Sequence, residues 1–190
     1  MRSRSRMVAV AVMALLSMAV PAAAANAPRW MGCASFNGQI VMAPGLPAIG
    51  HAARVRPTLT LRNGKLTACR GPSSSAHVTA SLTLGRATNC TEFIAHNTAG
   101  VETTATGTMH VSWTANKTST LAVTLRFGAV SGYPSLATLS GSVSAGAAKG
   151  TSSSAELNWS LPPTECFGGA PLTRFDLNML TIQVPATSAR

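Results

Sequence analysis

The sequence predicts an all-β protein: a single antiparallel β-sandwich, with a closed barrel of eight to ten strands as the alternative. Three observations carry this. Apolar residues recur at every second position in segment after segment, with Ser and Thr between them. Alternation of that kind marks a strand with one buried face. Gly, Pro and Asn punctuate these segments at a spacing of roughly ten residues, the rhythm of sandwiches and barrels. Beyond the N-terminal segment, no stretch shows the period of an amphipathic helix. The sandwich is preferred because one apolar and one Ser/Thr face per strand is what two packed sheets require.

The elements follow in order. Arg2, Arg4 and Arg6 precede an apolar run from Met7 to Val20 that only Ser17 interrupts, and Pro21 and Ala22 to Ala25 follow. A basic start, a short apolar stretch and small residues at its end define a secretory signal peptide, expected over residues 1–27. Residues 28–190 are then one secreted domain of ordinary size. An uncleaved anchor is the rival, since Met7 to Ala25 covers 19 residues, about a bilayer's span. The small residues of Ala25-Asn26-Ala27 favour cleavage. No Cys near the run offers a lipid attachment site, and no later segment is long and apolar enough to span a membrane as a helix.

Strand candidates are Gln39–Ala43, Pro57–Arg62, Lys65–Arg70, Ala76–Leu84, Thr108–Thr114, Thr120–Phe127, Leu139–Ser144, Ala155–Leu161 and Arg174–Val184. In the last, the apolar set runs Phe175, Leu177, Met179 and then Leu180, Ile182, Val184. That slip of phase predicts a β-bulge at Met179/Leu180 or a strand that changes partners. Asn63-Gly64 is a strong hairpin signal between two short strands. Asn116-Lys117-Thr118 marks a second hairpin, whose simplest register sets Trp113 opposite Leu121 and Val111 opposite Val123.

Cys33, Cys69, Cys90 and Cys166 are even in number and widely spaced. In an oxidising compartment this makes two disulfides the expectation. Four cysteines allow three pairings. Cys33–Cys69 with Cys90–Cys166 is favoured, because it ties the first strand to the Asn63-Gly64 region and a middle segment to the loop Pro162–Pro171. No Cys-x-x-Cys or His-x-x-x-His spacing supports zinc, so neither a metal nor another cofactor is expected.

The chain carries 15 Lys and Arg against 5 Asp and Glu, a net +10. Loss of Arg2, Arg4 and Arg6 with the signal leaves +7. The basic residues are densest from Arg54 through Arg56, Arg62 and Lys65 to Arg70. Such a surface suits an anionic envelope polymer or lipid. Nucleic acid is excluded as a physiological partner by export and by the shortage of aromatic residues, 5 % of the chain, for stacking bases.

Catalytic chemistry finds little support. The mature carboxylates are Glu92, Glu102, Glu156, Glu165 and Asp176. No spacing pairs two of them for glycoside hydrolysis, and all five are expected as solvated charges. No Gly-x-Ser-x-Gly elbow accompanies His51, His77, His96 or His110, and no phosphate loop joins a strand to a helix. His77 and His110 fall on solvent-facing strand positions.

Candidate binding residues lie elsewhere. Trp113 and Trp159 fall on apolar strand faces and are expected in the core. Trp30 lies near the expected mature N-terminus, beside Arg29 and Met31, and is expected at the surface. Loops on a rigid β scaffold commonly carry binding, which adds Pro44–His51, Tyr133 in Gly132-Tyr133-Pro134, and Phe167 in Pro162–Pro171.

Several segments resemble a group of small secreted β-proteins of actinobacteria. They are Cys33 with Gly38; Gly64, Leu66 and Cys69; Cys90; Gly107, Val111 and Trp113 leading to Thr118-Ser119-Thr120; and Ser140, Gly141 and Val143. The resemblance implies the fold class and the secreted location, and it carries no activity and no catalytic residues. The expectation is a disulfide-stabilised, non-catalytic binding module for an envelope component, lipid or carbohydrate. A structural or host-facing protein-interaction module is the alternative, and an exported hydrolase the third.

Overall fold

A computed structural model describes residues 32–70, 73–99, 101–114, 116–128, 135–162 and 164–183. The expected signal peptide, Trp30 and Tyr133 lie outside the described residues. Eight strands and one helix succeed each other: β1 (Gly32–Leu46), β2 (Thr58–Arg70), β3 (Ser75–Leu84), α1 (Cys90–Thr98), β4 (Thr103–Trp113), β5 (Lys117–Phe127), β6 (Leu136–Gly146), β7 (Ser152–Ser160) and β8 (Leu172–Gln183).

Each strand pairs antiparallel with the next, and β8 pairs back onto β1 from Asn37↔Asn178 to Leu46↔Leu172, which closes the sheet into a barrel. The closed barrel, not the two-sheet sandwich, is therefore the all-β arrangement adopted. The one-sided alternation suits both, because either encloses a single apolar layer; the first-to-last strand pairing decides between them.

Inward positions are apolar and buried: Leu59 and Leu61 on β2, Val78, Ala80 and Leu82 on β3, Val123 and Leu125 on β5. Outward positions carry Thr79, Ser81 and Thr83 on β3, and Ser152, Glu156 and Asn158 on β7. A lipid-embedded barrel has an apolar band on its outside; this one has it inside. No described helix is long and apolar enough to cross a membrane.

Several expectations are corrected. Asn63-Gly64 is not a hairpin, because β2 runs through it and stays paired on both sides. Asn63 takes a φ of 53° and the register shifts on both flanking ladders, so the dipeptide forms a bulge. The β4–β5 hairpin pairs Trp113 with Lys117 and Met109 with Leu121, four residues tighter than the simplest register. The slip at Met179/Leu180 does mark a register shift, since Leu157 pairs with Met179 and Glu156 with Thr181.

The helix α1 was not anticipated. Asn89 caps it: its Oδ1 accepts from the Glu92 amide at 3.0 Å, and its Nδ2 donates to the His51 carbonyl at 3.0 Å. Asn at the cap with Glu three residues on is a helix-start signature. The preceding loop is pinned to this turn by the Val55–Thr88 backbone bonds at 2.9 and 2.8 Å and by Cys90 N–H to the Pro47 carbonyl at 2.9 Å. Phe93 then enters one end of the barrel. Its ring lies 5.1 Å from Phe127 and 5.5 Å from Trp159, edge to face, and Phe175 completes the cluster. Edge-to-face contacts of this kind stabilise beyond the area they bury.

The disulfides are Cys33–Cys69 and Cys90–Cys166, the favoured pairing. The first joins paired residues of β1 and β2, and the second ties α1 to the β7–β8 loop. Two such bonds in a small barrel are compatible with a stable extracellular module.

Candidate ligand cavity at the barrel end opposite the helix

The two ends of the barrel differ. Helix α1, the loop before it and the Cys90–Cys166 bond fill one end. The other end is bounded by the β2–β3, β4–β5 and β6–β7 turns, the start of β1 and the end of β8. Beneath this second end lies a cavity with ≈ 90 Å³ accessible to the centres of water-sized molecules. That is room for roughly six to nine water-sized groups.

Its walls follow from strand alternation. Ile40, Leu61, Val78, Ala80, Met109, Val111, Leu121 and Leu177 project inward from six strands around the barrel. Ala80 and Ala155 stand where neighbours carry larger side chains, and such small residues leave the central space unfilled. Among the described residues the lining contains no Asp, Glu, His, Lys or Arg. Among the described lining residues, side-chain hydroxyls enter at the mouth, through Ser119, Thr151, Ser153 and Ser154.

Trp113 stands at that transition. Its Nε1–H donates to Ser119 Oγ at 3.0 Å, and Ser119 Oγ donates to the Ala147 carbonyl at 2.7 Å. The indole is thus held in one orientation with its ring on the cavity wall. Core burial of Trp113 and Trp159 follows the expectation from their strand faces. Trp113 lines the cavity, whereas Trp159 belongs to the aromatic plug, where its Nε1 is buried without a hydrogen-bond partner.

The basic residues that the sequence groups together are not gathered into one site. Arg54 and Arg56 lie at the plugged end, where Arg54 pairs with Glu92 and Arg56 Nε donates to the Leu84 carbonyl at 2.6 Å. Arg62 and Lys65 are exposed partway along β2, and Arg70 lies at its far end beside the mouth. Phe167 is 64 % exposed, near Ile49 at 42 %, and the Ile49 amide donates to the Cys166 carbonyl. These two residues are at the plugged end, remote from the cavity.

Glu165 departs from the expectation of a solvated charge. It is 8 % exposed, and its Oε2 accepts from the Thr173 and Arg174 amides at 2.6 and 3.2 Å. Arg174 Nε lies 3.5 Å from Oε1. This carboxylate fastens the β7–β8 loop, so its part is structural. His77 and His110 are exposed as expected, and His110 Nδ1 contacts Thr120 Oγ1 at 3.2 Å. Among the described residues, no three His, Cys, Asp or Glu side chains are grouped to hold a metal.

Fold and cavity together define an up-and-down barrel, plugged at one end by a helix and apolar within. No protein-family model matches the chain, and no curated protein or solved structure matches it.

Proposed function

We propose that this protein is an exported binding module that takes an apolar molecule, a lipid chain in particular, into the barrel through the end opposite α1. The observation that carries the reading is the lining: a cavity walled by Leu, Val, Ile, Met and Trp113, with hydroxyls only at the mouth. Water gains little in such a space, and an apolar group leaves bulk water on entering it. Ligand sites of this kind recur in the mouths of β-barrels.

The lining also bears on the other readings. A carbohydrate needs several polar partners, and the described wall residues below the mouth are apolar. Hydrolysis needs an acid or base at the substrate, and the described lining residues supply neither; this favours binding without catalysis. A protein-contact module would draw on the exposed Phe167 and Ile49, an area separate from the cavity.

Titration with a neutral long-chain alcohol, followed by tryptophan fluorescence and calorimetry, tests the reading. One molecule should bind per chain. Ala80→Phe, which fills the cavity from β3, should abolish binding while the thermal midpoint holds. Absence of binding across chain lengths of about six to twelve carbons, which bracket the available space, would refute the lipid-binding reading.

A further inference from the structure

The charges of the barrel are sorted by end. The ion pairs Arg54–Glu92, Arg126–Glu102 and Arg174–Glu165 all lie at the plugged end. At the mouth the described charged residues are cationic: Lys117 opens β5, Lys149 sits in the β6–β7 turn, and Arg70 ends β2. No described carboxylate shares that rim; the nearest along β7, Glu156, is on the outer face midway down the strand and pairs with Thr138 and Thr181. Lys117 and Lys149 are exposed and belong to the same sector, because the Ala147 amide donates to the Thr118 carbonyl at 2.8 Å. Each lysine is within two residues of that bond. Between this sector and the apolar wall stand the hydroxyls of Ser119, Thr151 and Ser153.

We infer that the ligand is a single-chain amphiphile with an anionic headgroup, tail inside the barrel and headgroup at the Lys117/Lys149 sector of the mouth. The inference rests on the proposed lipid-binding reading and adds the class and orientation of the ligand. The tail fits because the lining is apolar and the space matches about six to nine chain carbons. The headgroup fits because the exposed cations Lys117 and Lys149 at the rim attract an anion and, being exposed, do so without the cost of burial. A carboxylate and a phosphate monoester meet the same requirement.

The test is a charge series on one tail: decanoate, decyl phosphate, decanol and decyltrimethylammonium, each titrated into the protein expressed from the full chain at low salt and at about 1 M salt, where screening is strong. At low salt the two anions should bind about tenfold more tightly than decanol, and the cation more weakly than decanol. High salt should bring the anions down to the decanol affinity. The double variant Lys117→Gln/Lys149→Gln should do the same at low salt and leave decanol unchanged, whereas Arg126→Gln at the other end should change none of the four. Equal affinity for decanoate and decanol, or an anion preference that survives the double variant, overturns the inference and leaves the lipid-binding reading standing. Failure of all four to bind overturns both. A preference for only one anion assigns the headgroup as carboxylate or phosphate within the inferred class.

Discussion

Single residues set the geometry of the cavity through contacts that substitution can isolate. Trp113 is positioned by one donor bond to Ser119, which in turn holds the β6–β7 turn through the Ala147 carbonyl. Trp113→Phe keeps an aromatic wall and removes the bond. It should cost about 1 kcal/mol in chemical denaturation and remove most of the fluorescence response to ligand. Gly64 stands so close to the β3 backbone that a Cβ there would collide with the Val78 carbonyl. Gly64→Ala should destabilise by about 1–3 kcal/mol, as overpacking does. The Asn63-Gly64 pair also shows how local and tertiary signals diverge. Its turn propensity is real, since Asn63 adopts the positive φ that such dipeptides favour. The two ladders flanking β2 outweigh it and turn the same backbone preference into a bulge. The clue was present in Leu59 and Leu61 followed by Leu66, a change of parity like that of Met179 and Leu180.

At the scale of elements, α1 is the part that makes the barrel one-ended. Among its described residues Cys90 and Phe93 are fully buried, and Phe93 is the one whose ring joins the aromatic plug. A helix that short has no run of apolar positions for periodicity to detect. Its legible mark was the cap, Asn89 followed by Glu92 three residues on. Phe93→Ala should cost about 3–5 kcal/mol by opening a void among Phe127, Trp159 and Trp159's neighbour Phe175. Asn89→Ala should cost about 1 kcal/mol through the lost cap. Thermal midpoints of the two variants would rank them. The β4–β5 hairpin was misread for another reason. A shift of four residues leaves every apolar side chain on the same face, so alternation cannot choose between the two registers. The turn chooses, with Asn116 at a φ of 55°.

Across the whole molecule, the strands, the presence of two disulfides and the burial of both strand tryptophans were legible because each depends on parity or on an even cysteine count. Closure was not, since a sandwich and a barrel write the same alternation into their strands. The cavity was equally hidden: Ala80, Leu121 and Ala155 read only as apolar positions, and their convergence on one space is set by register. The rim lysines, 32 residues apart in the chain, become neighbours only through the barrel. The disulfides restrain the unfolded chain over separations of 36 and 76 residues. Loop entropy then assigns about 3.8 and 4.5 kcal/mol to Cys33–Cys69 and Cys90–Cys166. Removing each pair by double Ala substitution should lower stability in that order of size, and loss of Cys90–Cys166 should also raise amide exchange in α1.

The seam between β1 and β8 has a consequence for how the chain is made. Residues Asn37 to Val41 have their seam partners at Arg174 to Asn178, on the last strand of the barrel to emerge during synthesis. Until then the sheet is an open ribbon with two raw edges, and unpaired edges invite pairing with other chains. Closure of the barrel must therefore wait until β8 has been made. A nascent chain stopped before Leu172 would carry both edges permanently and should associate with its own kind instead of forming a smaller barrel.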